Sequence, residues 1–461
     1  MVFRAMSLGS TRLFCLSASV LLLLALSVRA HGAEAPTSVA GRHEGVATCS
    51  GSTCHSRLAP VGTVVRQNEI STWQDISSAA GAHSRALNVL QGDLAQEIVA
   101  RLGLGPSASA PECLGCHTDY PIAEMRGPRF HLSDGVGCEA CHGASSGWIA
   151  SHYAVGATHQ DNIAKGMLAL DIPAVRAGVC LDCHLGSDRG NQFVSHEMMS
   201  AGHPRISFEL DLFSALQSHY DIDADYAERK SVPGAVKMWA VGQAMAVDRA
   251  LSLFAGSSGA QSGMFPELYF YDCHSCHRAI SDSPDAPRRT VENTGRPIPS
   301  GTPPFNDSNM MMLSAAARIV APQLAENFED QSRSFHAALA LDRQNAIVAA
   351  GALSVLARQM SAMIAEHSFS ADDNFEILDA VMGEALSSRY TDYAGGEQAV
   401  MATDTLLSAL IAAGYVEPTD ANAIRPSLDR LYDQTRDVNA YRPAEFRETL
   451  MQVRAAIRGL R

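Results

Sequence analysis

The C-terminal third of the chain shows the clearest pattern of apolar and polar positions. Four apolar residues near its end keep the spacing of a single helix face, namely Phe446, Leu450, Val453 and Ile457. Pro443 suits the first turn of that helix, because a residue there needs no amide hydrogen. Between Asp342 and Gly414 the chain has further apolar residues at helical spacing, which indicate more helices. The pattern predicts an antiparallel helical bundle over 306–461, with the Met and Leu stripes in its core.

A proline-rich segment precedes this predicted bundle. Residues 283–305 contain six prolines among Ser, Asp, Gly and Arg, which is the composition of an extended connector. Upstream of it the periodic stretches are shorter, and residues 118–137 are rich in Gly and Pro. For residues 31–282 we therefore predict a mainly α fold with much irregular backbone.

The N-terminus has the features of a secretory signal. Residues 1–30 begin with Arg4 and Arg12, continue with an apolar stretch from Leu13 to Val28 and end in small residues. This stretch is shorter than the roughly 20 residues of a membrane span, although an uncleaved anchor stays an alternative. We predict export to the periplasm, or further, and no membrane-spanning segment after the signal.

Five short motifs combine two cysteines with a histidine that follows at once. They are Cys49–Cys54–His55, Cys113–Cys116–His117, Cys138–Cys141–His142, Cys180–Cys183–His184 and Cys273–Cys276–His277. The pattern C-x-x-C-H is the attachment signal of c-type haem, in which two thiols bond to the porphyrin and the histidine binds the iron. The first motif has two extra residues between its cysteines. We predict five covalently attached haems (heme c).

Two other interpretations of these cysteines explain less. An exported protein can form disulfides, and paired cysteines can bind zinc. Neither interpretation requires a histidine after the second cysteine of every pair. Ten of the 11 cysteines lie in the motifs, and the remaining one, Cys15, lies in the predicted signal.

Each haem iron has a sixth position that a second histidine, a methionine, water or nothing can occupy. Nine histidines in or just before the motif region are candidates: His43, His83, His131, His152, His159, His196, His203, His219 and His274. This number is enough for five haems with two histidine ligands each. A lone histidine is more often hydrogen-bonded than metal-bound, and His274 lies inside a motif, which restricts its reach to another iron.

The chain is acidic, with a formal net charge of −14. Removal of residues 1–30 would make it more acidic, because these residues include three arginines and no acid. Negative charge disfavours nucleic acid and anionic membrane surfaces as partners. It favours a redox partner with a basic docking face, or it serves solubility alone.

Several stretches resemble the cytochrome c-554 family of tetrahaem electron carriers. Residues 72–75 (TWQD), continuing to 82–86 (AHSRA), are similar to the segment after that family's first haem motif. Residues 112–117 (ECLGCH) and 135–143 (GVGCEACHG) look like its second and third motifs. The resemblance covers roughly 42–205. A shared partner is not implied, because this chain has a longer first motif, a fifth motif and the helical extension.

The resemblance also implies a set of iron ligands. For the first, third and fourth haems these are, in that order, His152, His83 and either His196 or His203. The second haem of the family is five-coordinate, which leaves the sixth position opposite His117 open. His131 is a candidate for that position.

Together these observations predict an exported multihaem cytochrome that transfers electrons between redox partner proteins. The alternative is an oxidoreductase that acts on a small nitrogen or sulfur compound at one haem with an open position, most plainly that at His117. No motif has lysine in place of its histidine, so the active-site signature of pentahaem nitrite reductases is missing. An oligomer, or a subunit of an electron-transfer complex, is compatible with the first interpretation.

Overall fold

The computed structural model describes the chain over residues 41–57, 67–189, 191–256, 267–277, 296–299, 302–387 and 393–461. These residues belong to one unit, Ala33–Arg461. The predicted signal, residues 1–30, lies outside the described residues, as does most of the predicted connector 283–305. The domain boundaries drawn from the sequence therefore stay predictions.

The described residues are mainly helical, which confirms the predicted fold class. Up to residue 229 the helices are short: α1 Val46–Cys49, α2 Glu69–Trp73, α3 Asp93–Leu102, α4 Pro111–His117, α5 Cys138–His142, α6 Ile149–His152, α7 His159–Ile163, α8 Pro173–His184, α9 His196–Ser200, α10 Leu210–Leu216 and α11 Ala224–Arg229. In the described ranges, β pairing is limited to two isolated bridges, His43–Arg126 and Tyr271–Phe305.

Short 3-10 turns connect these helices. They are Ala79–Gly81, His83–Arg85, Asn88–Gln91, Ser107–Ser109, Ala123–Met125, Leu132–Asp134, Ser145–Gly147, Leu268–Phe270 and Cys273–Ser275. Two of them fall within 118–137, where the rest of the backbone is irregular, as the Gly and Pro content predicts.

From residue 235 onward the helices are long: α12 Ala235–Ala255, α13 Ser308–Val320, α14 Pro322–Leu339, α15 Arg343–Glu366, α16 Ala371–Ala385, α17 Tyr393–Ala412, α18 Pro418–Gln434 and α19 Pro443–Arg458. The predicted helix signals hold at three positions. The Asp342 side chain accepts the Asn345 amide at 2.9 Å and caps α15. Pro443 is the first residue of α19, and Gly414 takes the left-handed conformation, φ 75°, just after α17.

One large apolar core runs through the long helices and includes α12, which precedes the predicted bundle in sequence. Helix α12 packs along α15, and its Trp239 and Phe254 are fully buried. The rings of Phe254, Phe305 and Phe335 meet edge to face with centroids 5.0–5.7 Å apart. The long helices α12 to α19 are therefore held together by ordinary side-chain packing.

The short-helix part has only small apolar clusters in the described residues. One contains Ala177, Leu181 and Leu210 together with Met238 and Ala246 of α12, and the other contains Val46, Ile70 and Trp73. A region of this length usually buries more apolar side chains. The predicted haems are themselves large apolar groups, and they would take the place of the apolar side chains that this part lacks in its core.

Helix α15 is long and apolar enough to cross a bilayer, by length and composition only. This corrects the expectation that no segment after the signal reaches that length and composition. The same test is passed by the buried helix of a globular core, and α15 buries Leu353, Ala357 and Met360 inside the protein. The expectation that the chain does not span a membrane stays a prediction.

Substitutions on α15 distinguish a core helix from a membrane helix. Leu353 is fully buried, whereas Val355 on the same helix is 44% exposed. We expect Leu353→Ala to lower the free energy of unfolding by about 2–5 kcal/mol, because it leaves a cavity. Val355→Ala should change it by less than about 0.5 kcal/mol. Urea unfolding followed by circular dichroism measures both, and equal small effects would contradict the packing of α15 in the core.

Glu209 is a buried carboxyl group that joins the two parts of the chain. It caps α10 by accepting the amides of Asp211 and Leu212 at 2.8 and 2.7 Å. It also accepts the Thr405 hydroxyl of α17 at 3.0 Å. Burial raises the pKa of Glu209 from its ordinary 4.5 to about 7, because the hydrogen bonds only partly offset the lost hydration.

The raised pKa of Glu209 predicts a pH dependence of stability. Between pH 4.5 and about 7 the folded protein holds a proton on Glu209 that the unfolded chain has released, so stability falls as pH rises through this window. Glu209→Gln removes this dependence. The difference in unfolding free energy between wild type and variant should change by up to about 3 kcal/mol across the window. A difference that is constant with pH would contradict the raised pKa.

Candidate haem sites

Local helical structure brings the two cysteines of a motif together. The second, third and fourth motifs end helices α4, α5 and α8. Residues three apart in a helix lie on the same face, so both thiols of each motif are on one side, and the histidine follows directly. This is the arrangement that two thioether bonds to one porphyrin require.

The first and fifth motifs reach a similar geometry without a full helix. In the first, the Cys54 amide donates to the Gly51 carbonyl at 2.8 Å, and the His55 amide donates back to the Cys49 carbonyl at 3.3 Å. The two extra residues of this motif are therefore taken up in a turn. In the fifth, the His277 amide donates to the Cys273 carbonyl at 2.8 Å.

The motif cysteines do not form disulfides or a zinc site in the described structure. All ten are free thiols. Burial raises the pKa of Cys141 to about 12 and that of Cys180 to about 11. In the described ranges, the group with metal-ligand spacing is not cysteine but His43, Asp119 and Glu139.

That group is a satisfied hydrogen-bond network. His43 Nδ1 donates to Asp119 Oδ2 at 2.7 Å. The buried Glu139 carboxylate accepts the backbone amides of Glu44, Gly45 and Ser145 at 2.7–2.9 Å. These bonds fasten the third motif to the start of the described chain, so His43 has a structural role.

Each motif histidine faces one histidine from elsewhere in the chain. The ring centroids are 6.0–6.4 Å apart in the five pairs, which are His55 with His152, His117 with His203, His142 with His219, His184 with His83, and His277 with His196. No histidine belongs to two pairs. The folded chain thus places an imidazole opposite each of the five motifs.

The separation within the pairs fits one iron atom between two imidazoles. A metal–nitrogen bond of about 2.0 Å on each side, plus roughly 1.1 Å from each nitrogen to its ring centre, puts the centroids about 6 Å apart. The residues present therefore fit a haem with two histidine ligands at every motif.

Hydrogen bonds to the other ring nitrogen orient several of these histidines. His117 Nδ1 donates to the Ala86 carbonyl at 2.8 Å, and His203 Nδ1 donates to the Pro204 carbonyl at 2.8 Å. His55 Nδ1 donates to Glu69 Oε2 at 3.0 Å. Such bonds fix the tautomer that leaves Nε2 free to bind a metal.

Burial keeps the central imidazoles neutral. It lowers the pKa of His142 to about 3 and that of His184 to about 4. Burial also lowers the pKa of His117 and His83. Neutral imidazole is the form that binds metal, so these four histidines need no deprotonation at physiological pH.

The helices that carry the motifs pack in an order that differs from their order in sequence. Helix α1 packs on α5, α5 on α8, and α8 on α4. The Cys138 thiol lowers the pKa of Cys49 and the Cys183 thiol lowers that of Cys116, so the two thiols of each pair are neighbours. The order in space is therefore first, third, fourth and second motif.

The observed pairs agree only in part with the ligands that the resemblance implied. His152 lies opposite His55, as expected for the first motif. His83 lies opposite His184 of the fourth motif and not opposite the third. Neither His196 nor His203 faces the fourth motif. The chain between the motifs folds back differently from the implied arrangement.

The structure also separates the remaining candidates. The open position predicted at His117 is faced by His203, whereas His131 is exposed on the surface and stands in none of the five pairs. His219, which had no preferred role among the candidates, faces His142. No sequence pattern around His219 marks it as an iron ligand. The sequence indicated only that there are enough histidines for every haem to have a second one. His159 bonds Asp171 at 3.3 Å.

Comparison with known proteins gives one match. A family model described as cytochrome c554 and c-prime matches residues 48–143, which include the first three motifs. No curated protein and no solved structure matches the chain significantly. The fold, the motifs and this match define a haem-containing c-type cytochrome of mainly α structure. More particularly, the chain is a multihaem cytochrome that resembles the cytochrome c554 and c-prime family.

Replacement of a facing histidine tests the pairing at the second motif. In His203→Ala we expect one haem of the set to change from a low-spin to a high-spin ferric EPR signal, because its iron loses one of two strong imidazole ligands. The matched control is His131→Ala, which should leave the spectrum unchanged. A high-spin signal in His131→Ala, with none in His203→Ala, would contradict the pairing.

Proposed function

We propose that this chain is an exported cytochrome with five covalently bound haems that passes electrons between redox partner proteins. The carrying observation is that each motif histidine faces a second histidine, so no motif has an evident open position for a substrate. When bound, a haem with two histidine ligands supplies one-electron chemistry at the iron.

The residues of the chain have three tasks in this function. The ten motif cysteines attach the porphyrins, and the paired histidines bind the irons from both sides. Buried neutral imidazoles such as His142 keep their ligand form without a change of protonation. The packing of α1, α5, α8 and α4 puts the first, third, fourth and second sites in a row, along which electrons can pass.

Export and partners belong to the same proposal. The signal features of residues 1–30 support a periplasmic location, where bacterial haem attachment occurs. The negative charge supports a partner with a basic docking face. Assembly into a larger electron-transfer complex is compatible with this function.

The alternative of a haem enzyme has less support. Its basis was an empty sixth position at His117, and His203 faces that histidine with ring centroids 6.4 Å apart. We therefore propose no substrate.

Mass spectrometry combined with ligand binding tests the proposal. The mature protein should be heavier than its polypeptide by about 0.6 kDa for each of five haems. A Cys113→Ala/Cys116→Ala variant is the control and should lose one such increment. Cyanide and nitric oxide should leave the optical spectrum of the ferric wild type nearly unchanged. Fewer increments would contradict the haem count, and tight binding of either ligand with turnover would favour an enzyme.

A further inference from the structure

His274 lies between the two cysteines of the fifth motif, yet its side chain points into the C-terminal helical part. The residue is buried at 7% exposure. Its Nδ1 donates to the Val438 carbonyl at 3.3 Å. Its ring meets Tyr441 edge to face with centroids 5.3 Å apart. A histidine in this position anchors the motif to the segment between α18 and α19 and does not serve another iron.

The chain that leads into the fifth motif is also built into the C-terminal core. Phe270 and Tyr271 belong to the large apolar core. The Asp272 amide donates to the Pro304 carbonyl at 2.9 Å, and the Asn306 amide donates to the Phe270 carbonyl at 2.8 Å. Helix α17 packs against the turn Cys273–Ser275 itself. The fifth motif is thus fixed on several sides by residues of the haem-free part.

The opposite side of the same site is fixed by Glu267. Its Oε1 accepts the His196 amide at 2.8 Å and the Tyr269 amide at 3.2 Å. His196 is the histidine that faces His277. One carboxylate oxygen therefore joins the start of helix α9 to the chain that enters the fifth motif.

A second contact ties the following segment to α17. Arg205 forms an ion pair with Glu397, and its guanidinium lies 5.7 Å from the centre of the Tyr393 ring. Arg205 comes two residues after His203, which faces His117 of the second motif. The segment 196–203 thus carries the facing histidines of both the fifth and the second motifs.

The other four motifs are held differently. They pack on one another through α1, α5, α8 and α4. The fourth also contacts the long helix α12, where Arg249 donates to Asp182 at 2.7 Å, whereas the fifth packs against α17 and the segment between α18 and α19.

We propose that the C-terminal helices form one half of the fifth haem site, with His274 as a positioning residue, and that this site continues the row next to the second haem. The inference rests on the proposed function, because it takes a haem at Cys273 and Cys276 as given. It assigns a role to the helical extension, which positions the last haem. The row of sites is then first, third, fourth, second and fifth.

Redox titration of the full-length holoprotein tests the role of His274. His274→Ala should shift one of five reduction steps and change one set of low-spin EPR signals, because the fifth haem loses its anchor while its ligands His277 and His196 stay. His274→Asn places an amide donor near the position of Nδ1 and should restore both readouts. The matched control is Leu353→Ala, which weakens the C-terminal core without touching the motif and should leave all five steps in place.

The outcomes separate anchoring from other roles. Unchanged steps in His274→Ala would overturn the proposal. A new high-spin haem that His274→Asn does not restore would also overturn it, because that result marks an iron ligand. If His274→Ala does not accumulate as folded protein, His274→Asn alone decides. Reduction steps like those of the wild type in His274→Asn support the proposal, and shifted reduction steps refute it. Failure of the proposed function would be visible separately, because the mass of the wild-type protein would then lack one or more haem increments.

Discussion

The spacing between opposed imidazoles is the constraint on which this structure depends. Each of the five pairs joins segments that are far apart in sequence, such as His55 with His152 and His117 with His203. The short-helix part has few apolar contacts of its own, because one buried cluster holds three of its residues and the cluster of five includes two residues of the long helix α12. The proposed haems between the histidines would order its irregular loops, since helices of four to twelve residues have little stability alone.

The C-terminal part follows a different physical rule. Long amphipathic helices bury a continuous core that extends from α12 to α19. Because the fifth motif is inserted in this core, the two modes of stabilisation meet at one site. A rigid helical support on one side and two imidazoles on the other would hold that haem in a fixed position, which is what efficient transfer to a neighbour requires.

The sequence predicts well where the chemistry is local and poorly where it depends on long-range folding. The motif cysteines and histidines, Asp342 as a helix cap and Pro443 as a helix start all follow from residues a few positions apart. The pairing of His184 with His83 does not follow from local sequence. His83 precedes His184 by 101 positions, and no residue pattern near His83 marks it as the partner. His131 looked suitable for the position opposite His117, but it lies on the surface and His203 faces that histidine instead, while the less conspicuous His219 faces the third motif.

The positions of the iron atoms in a crystal of the mature protein test the account most directly. Anomalous scattering at the iron absorption edge locates each iron independently of any assumed chain path. We expect five irons, each between the two imidazoles of one pair, in the spatial order first, third, fourth, second and fifth motif. Fewer irons, or an iron held by His142 and His83 together, would contradict it.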